Sequence, residues 1–467
     1  MNQIMMNSPK TLDSGFRRND DISEFSIPIC IIFAPSCQGL SKPLHSIHWS
    51  LPHIRFSLDI NRGMESSRVS IIVETARRCL MARRLIRGKM VIDCTGRPPI
   101  RNGAVLIEAD RIVSVGKSVD FSVKGVEIVD CGDQTLLPGL IDCHNHLSLD
   151  TRLKEHLHHM ADSVPELTLR AVETLQIDLF SGVTTSRCCG DKEFIDIACR
   201  HAVERGKLPG PRLLAATRGI RASHGHGYVG YPFNGPEAIR SAVRENLKAG
   251  ADFIKLYLTG TLKGKSGLPC YLSKPEISLA VEEAHRAGVK VAAHCIGGPG
   301  LDWALDLGID SIEHAYCVSD AQIERLNGSE SLLVMTPSPF FAEDRIVTLP
   351  AGLDEGFRGE KDLVADRLAA VIGSGVPFGI GTDGRHGGLA QEMRYLKELG
   401  ASAEAVLMAG TRTGAKVCGL EGEVGTLETG KIADMIGLKG NPLEDVRAFQ
   451  EVETVICRGE LVLQKNR

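Results

Sequence analysis

The sequence predicts an α/β protein: a (β/α)8 TIM barrel beside a small β-sandwich to which both chain ends contribute. Three observations carry that prediction. Eight short apolar runs, at 137–146, 182–188, 212–218, 252–259, 289–295, 310–315, 332–338 and 377–383, each end in polar or Gly-rich turns, as buried strands do. Helical patterns separate them. Ser273-Lys-Pro-Glu276 is a capping box with Pro just inside the helix, and Ile277, Ala280, Val281 and Ala284 then mark one apolar face. Ala238, Ile239, Ala242, Val243 and Leu247 repeat that face after Gly235-Pro236. Last, strand-like text flanks the alternating region on both sides. It comprises Leu85–Ile92, Gly103–Ile107 and Arg111–Gly116 before it, and Gly425-Thr-Leu427, Ala433–Leu438, Thr454–Cys457 and Leu461–Leu463 after it. Strands alternating with helices in this number close into a barrel. The rival, a doubly wound open sheet, would carry Gly-x-Gly-x-x-Gly after its first strand, and none stands at that place.

Residues 1–80 lack this regularity. The expected organisation is a leader over 1–80, disordered or preceding a true start at Met81; a composite sandwich from 81–137 plus 421–467; and a barrel over 138–420. The apolar run at 25–37 is too short to span a bilayer, and Asp20, Asp21 and Glu24 stand where a signal peptide is basic. A net charge of −4 without a long basic block argues against nucleic acid or a membrane as partner. The 14 cysteines are scattered and form no Cys-x-x-Cys motif, which suggests reduced thiols and a cytoplasmic location. The expected partner is a small-molecule substrate, and a homo-oligomer is compatible with all of this.

The chemistry is carried by six polar residues at the ends of apolar runs: His144, His146, Lys255, His294, His314 and Asp383. Imidazoles, an amine and a carboxylate in a dry interior are costly unless something binds them. In a barrel, the C-terminal strand ends converge on one mouth, so a metal centre would satisfy all six at once. His144 and His146 share a strand face, with Asn145 opposite. Lys255 lies between Ile254 and Leu256; a neutral buried amine can add carbon dioxide and become a bidentate carbamate ligand. His294 and His314 end consecutive strands, and Asp383 ends the eighth. Taken singly, each residue has a plainer explanation, as a core histidine, a rim lysine or a turn aspartate. Their recurrence at matching strand ends favours the metal. His224 and His226, in Ser223-His-Gly-His-Gly227, and Tyr257, on the Lys255 face, are candidate substrate contacts.

With these residues assembled, the chain resembles the amidohydrolase superfamily from about Met81 to Leu463. Pro138-Gly-Leu-Ile-Asp-Cys-His-Asn-His146 is similar to the family's first-strand motif. Gly425-Thr-Leu-Glu-Thr-Gly-Lys-Ile-Ala-Asp434 and Gly440-Asn-Pro-Leu-Glu-Asp445 are similar to its C-terminal signature. The ligand set resembles the binuclear subtype with a carboxylated lysine. Gly182-Val-Thr-Thr185 and the His-Gly-His-Gly loop resemble the imidazolonepropionase-like branch that includes Xaa-Pro dipeptidases. Where those dipeptidases carry a tyrosine after the fifth-strand histidine, this chain has Cys295-Ile-Gly-Gly-Pro299.

The resemblance implies two divalent cations, zinc first on ligand type. One would be held by His144, His146 and Asp383, the other by His294 and His314, with carbamylated Lys255 bridging them. It implies hydrolysis of a C–N bond in an amide, dipeptide or cyclic amide by a metal-bridging hydroxide, with Asp383 as the proton shuttle. The alternatives are a mononuclear deaminase on the same barrel and a non-catalytic scaffold of the same descent.

Overall fold

The computed structural model describes residues 46–51, 54–59, 83–122, 124–264 and 267–465. The chain divides into two compact units, Met1–Leu80 and Met81–Arg467. In the first, Ser46–Leu51 pairs antiparallel with Ile54–Asp59. The expectation of a disordered leader otherwise falls outside the described residues.

In the second unit the eight expected strands are present: Leu140–Asn145, Val183–Cys188, Arg212–Ala215, Phe253–Tyr257, Lys290–Cys295, Ser311–His314, Leu332–Met335 and Phe378–Ile380. Neighbours pair in parallel. Two seams close the ring. Between the third and fourth strands, Asp252 N donates to Ala215 O at 2.8 Å, and Ile220 pairs with Leu256. Between the eighth and first, Asp383 N donates to His144 O at 2.8 Å. Gly381 permits that second seam, because a Cβ there would lie 2.5 Å from His144 Cβ. Parallel strands covered on both faces are apolar throughout, and every residue of Phe253–Tyr257 is buried, Lys255 included.

The helices follow the local signals. Lys274–Arg286 begins at the Ser273/Glu276 capping box, and it buries Ile277, Ala280, Val281 and Ala284. Pro236–Ala249 follows Gly235 and buries Ile239, Ala242 and Val243. A second capping box, Ser163 with Glu166, opens Val164–Phe180.

Both chain ends build the sandwich. One sheet has six strands in the order Glu460–Gln464, Val452–Cys457, Met435–Leu438, Thr135–Pro138, Met90–Val91, Ile100–Arg101. The other has four, in the order Arg111–Lys117, Gly103–Glu108, Arg83–Arg87, Glu127–Asp130. The ends meet where Met435 pairs with Pro138, and Ile86, Val105, Ile107, Leu136, Met435 and Ile456 share the core between the sheets. One expected strand is absent. Gly425-Thr-Leu427 is a bend, because Gly425 takes φ 87°, a left-handed value that ends extended backbone. Among the described residues, no helix is long and apolar enough to cross a membrane.

Candidate metal centre

The strand ends open into a cavity of about 890 Å3 whose lining includes His144, His146, His294, His314, Asp383, His224, His226 and Tyr257. The imidazoles form a chain. Ring centroids are 5.2 Å apart for His144–His146, 4.7 Å for His144–His314, 4.4 Å for His294–His314 and 4.5 Å for His226–His294. The sixth residue, Lys255, is fully buried beneath them, with Nζ 5.4 Å from the Tyr257 ring centre. The Tyr257 ring in turn is centred 5.9 Å from the His294 ring, and the His144 pKa is lowered by burial and then by the Lys255 charge. The six strand-end residues therefore occupy one site.

Hydrogen bonds orient the rings. His144 Nδ1 lies 2.8 Å from Glu313 Oε2, and His146 Nδ1 lies 2.8 Å from Gly190 O. With Nδ1–H donating in each, the lone pair falls on Nε2. Both Nε2 atoms face Asp383 Oδ1, at 3.6 and 3.5 Å. His294 Nε2 points at Gly260 O, 3.2 Å away, which leaves Nδ1 as its lone-pair atom. His314 Nδ1 meets Thr336 Oγ1 at 2.7 Å, and its Nε2 is buried without a partner. Burial, then Lys255, pushes His144 down to about 4, and burial holds His294 and His314 well below the usual imidazole range. Neutral imidazoles at neutral pH are the form that donates to a cation. Burial alone would raise Asp383, but the neighbouring His146 and the Arg345 charge outweigh that and keep the carboxyl well below its ordinary range. Arg345 Nη2 donates to Oδ2 at 3.0 Å, so Oδ1 is the oxygen turned to the histidines.

Two buried atoms remain unsatisfied here, Lys255 Nζ and His314 Nε2. A buried amine and a buried imidazole nitrogen without partners are each costly, and a cation with a bridging ligand would remove both penalties. Candidate ligand atoms of His144, His146 and Asp383 also lie within 4.8 Å of one another. The donor set thus fits divalent metal. A second grouping, His144 with Cys189 and Glu313, is equally close. There, however, the carboxylate is already engaged: Oε1 by Arg187 Nη1 at 3.0 Å and Ser311 Oγ at 2.7 Å, and Oε2 by His144. Burial pushes the Cys189 thiol up to about 12. That grouping is the hydrogen-bonded floor of the site.

Backbone conformation helps to converge these side chains. Simple alternation would send Glu313 and His314 to opposite faces. His314 takes φ 81° and Ala315 φ 54°, and both side chains reach His144. Asp383 is also left-handed, at φ 51°. Such conformations are unfavourable for residues other than glycine and concentrate at functional sites.

The substrate candidates Tyr257 and His226 stand beside the cluster, their rings 5.9 and 4.5 Å from the His294 ring. Tyr257 OH donates to Cys189 O at 3.3 Å, and the His226 ring lies 6.2 Å from the Tyr257 ring. Gly227 is required here: it takes φ 109°, and a Cβ would lie 2.7 Å from Tyr257 Cδ1. His224 is exposed and packs edge-on against Tyr271 at 5.4 Å. The loop is tied down, with Asn234 Nδ2 donating to Ser223 Oγ at 2.6 Å.

Sequence reasoning passed over Glu313, Arg187 and Arg345. Only Glu313 left a local trace, as a carboxylate inside an apolar strand next to a candidate ligand. The partners of Arg187 and Arg345 are distant in sequence.

Known proteins share the fold of this chain. Ochratoxinase of Aspergillus niger is 28% identical over 399 residues, covering 76% of this chain and 81% of that protein. A crystal structure of a Xaa-Pro dipeptidase with methionine bound in its active site is 28% identical with a TM-score of 0.75, covering 82% of this chain and all of that one (100%). A putative prolidase from Bifidobacterium longum gives 26% and a TM-score of 0.72, covering 83% of this chain and 97% of that chain. The amidohydrolase family profile matches residues 135–462, from the strand that joins sandwich to barrel to the last strand of the sheet. With barrel, strand-end cluster and profile in agreement over that span, the chain belongs to the amidohydrolase family.

Proposed function

We propose that this protein is a metal-dependent hydrolase that cleaves the C–N bond of a small amide, dipeptide or cyclic amide. One observation carries the reading: Lys255 Nζ is fully buried and without a hydrogen-bond partner among imidazoles whose charges it opposes. In its neutral form the amine adds carbon dioxide with loss of one proton, which gives an anionic carbamate suited to two cations. His144, His146 and Asp383 would hold one ion, and His294 and His314 the other. Zinc fits the ligand types, as do other divalent metals. Bound there, two divalent cations would lower the pKa of water to near 7 and polarise the scissile carbonyl.

The remaining work falls to the chain's own groups. Asp383 is kept ionised by the neighbouring His146 and the Arg345 charge, although burial opposes this. Oδ1 faces the cluster and takes the proton of the attacking water; the same proton then passes to the leaving nitrogen. Glu313 fixes the His144 tautomer. The cavity walls position the amide and limit water. The names of the relatives support the class: an ochratoxinase and a Xaa-Pro dipeptidase.

The test is metal analysis of the purified protein together with hydrolysis of a panel of dipeptides, N-acyl amino acids and cyclic amides by zinc-loaded protein. Two ions per chain and cleavage of panel members are expected. A single ion, with ammonia released from aminopurines and no amide cleaved, would establish the deaminase instead. Labelling with 13C-bicarbonate should also give a carbamate resonance that is missing from Lys255→Ala.

A further inference from the structure

The cavity lining has one carboxylate, Asp383, against two arginines and eight histidines. Arg345 is paired with Asp383 at 3.0 Å. The other arginine, Arg221, is not paired. It ends the short strand Ile220–Arg221 just ahead of the His-Gly-His-Gly loop. Its hydrogen bonds all leave from Nη1 and end on main-chain oxygens, Ala222 at 3.1 Å, Ser223 at 3.2 Å and Gly225 at 3.3 Å. Carbonyl dipoles fix the guanidinium in place without neutralising its charge. Nε is buried and has no partner. Among the described residues, no carboxylate forms an ion pair with Arg221.

The surroundings do not supply the missing charge. Lys192 is the cation nearby, and its pKa is lowered by burial first and then by the Arg221 charge. Glu193 is engaged by the Tyr231 hydroxyl at 2.6 Å, and Asp191 accepts from Leu147 N at 2.8 Å. Arg221 nevertheless stands close to the reacting centre. Gly225, whose oxygen it holds, adjoins His226, and the His226 ring is 4.5 Å from His294. Part of the lining is apolar, including Leu149, Met160, Val229, Leu353 and Phe357.

We propose that Arg221 is the carboxylate-binding residue of this cavity, so that the substrate is an amide bearing a free carboxylate and an apolar substituent. This rests on the hydrolase reading above and narrows it. A fixed, unneutralised guanidinium in a cavity recognises a carboxylate through charge-assisted, often bidentate hydrogen bonds. Apolar walls around such a group orient a ligand with one charged end. N-acyl amino acids and dipeptides satisfy both demands, and neutral amides satisfy only the second.

Calorimetric binding of 3-phenylpropanoate and of 3-phenylpropanamide to the metal-loaded protein tests the proposal. The acid should bind at least about tenfold more tightly than the amide. In Arg221→Gln that preference should collapse to about twofold or less, with the melting temperature unchanged, and Arg221→Lys should restore part of it. Equal binding of the two probes by the wild type overturns the proposal, whatever the variants do. So does a preference that survives in Arg221→Gln, because the carboxylate would then be held elsewhere, on the metal included. Failure of the two readings is distinguishable. Intact preference with no amide hydrolysed removes the hydrolase and leaves the subsite; amide hydrolysis without the preference does the reverse.

Discussion

The two walls of the cavity are built on different terms. On one wall, His144, His146, His294, His314, Lys255 and Asp383 come from strand ends and are gripped from behind: Glu313 behind His144, Thr336 behind His314, Arg345 behind Asp383. The other wall is the loop from Arg221 to Asn234, where His224 is exposed and the contacts include main-chain carbonyls, an Asn–Ser pair, Thr261 against His226 and Tyr231 against Glu193. The first wall holds its groups in fixed orientations, as chemistry on a defined atom demands. The second presents groups to whatever enters. On the proposed function, the strand ends would set the reaction and the loop what is admitted.

Substitutions on the two walls should therefore fail in different ways, and the largest failure should come from the strand ends. Asp383→Asn keeps the size of the side chain and a ligand oxygen but cannot accept the proton, so turnover should fall by about 10³-fold or more while bound metal persists. Steady-state kinetics beside elemental analysis decides this, and a variant with near-normal turnover ends the shuttle role. On the proposed function, Lys255→Ala would remove the bridging ligand. Its metal content should drop below that of the wild type, and its melting temperature should respond less to added zinc. Two tightly held ions in that variant would contradict the carbamate.

Glu313→Gln leaves the His144 ligand atom in place but loosens its orientation. Metal affinity or activity should fall by roughly 10- to 100-fold, read by competition with a chelator. On the loop, His226→Asn should act on KM more than on kcat, by about tenfold, with metal content unchanged. An equal loss in kcat and metal would place His226 with the strand-end set and dissolve the contrast.

Most of the first wall was legible in the sequence because strand ends leave a local mark. An apolar run that closes on His, Lys or Asp is conspicuous in the text, and barrel topology brings such ends together. The floor of the site left almost no mark. Arg187 reaches Glu313 across 126 positions, and Arg345 reaches Asp383 across 38 from a helix of only four residues, Glu343–Ile346. Glu313 was hidden by the alternation rule itself, which assigns it to the face opposite His314 until the left-handed turn is known. Gly425-Thr-Leu427 was misjudged for a related reason: apolar text flanking a glycine reads as a strand when the glycine's φ is unknown.

The smallest expected effect tests how deep the support of the first wall runs. Glu392 is fully buried on the helix Leu389–Glu398 and accepts from Ser338 N at 2.9 Å. Ser338 Oγ accepts in turn from Arg345 Nη1 at 3.0 Å, the guanidinium that holds Asp383. Burial pushes Glu392 up to about 8, against the pull of Ser338 and Arg345. Because the folded pKa is the raised one, the folded state binds this proton more tightly than the unfolded state does. The resulting stabilisation is complete below about pH 4.5 and is lost as pH rises through about 8, amounting to roughly a few kcal/mol at most. Glu392→Gln carries no such proton. Denaturant unfolding of both proteins at about pH 4, 7 and 8.5, which bracket about 4.5 to 8, should show the variant gaining on the wild type as pH rises. Parallel stability curves would mean that Glu392 is already ionised at its post, and that the brace behind Arg345 and Asp383 is a charge pair and not a neutral acid.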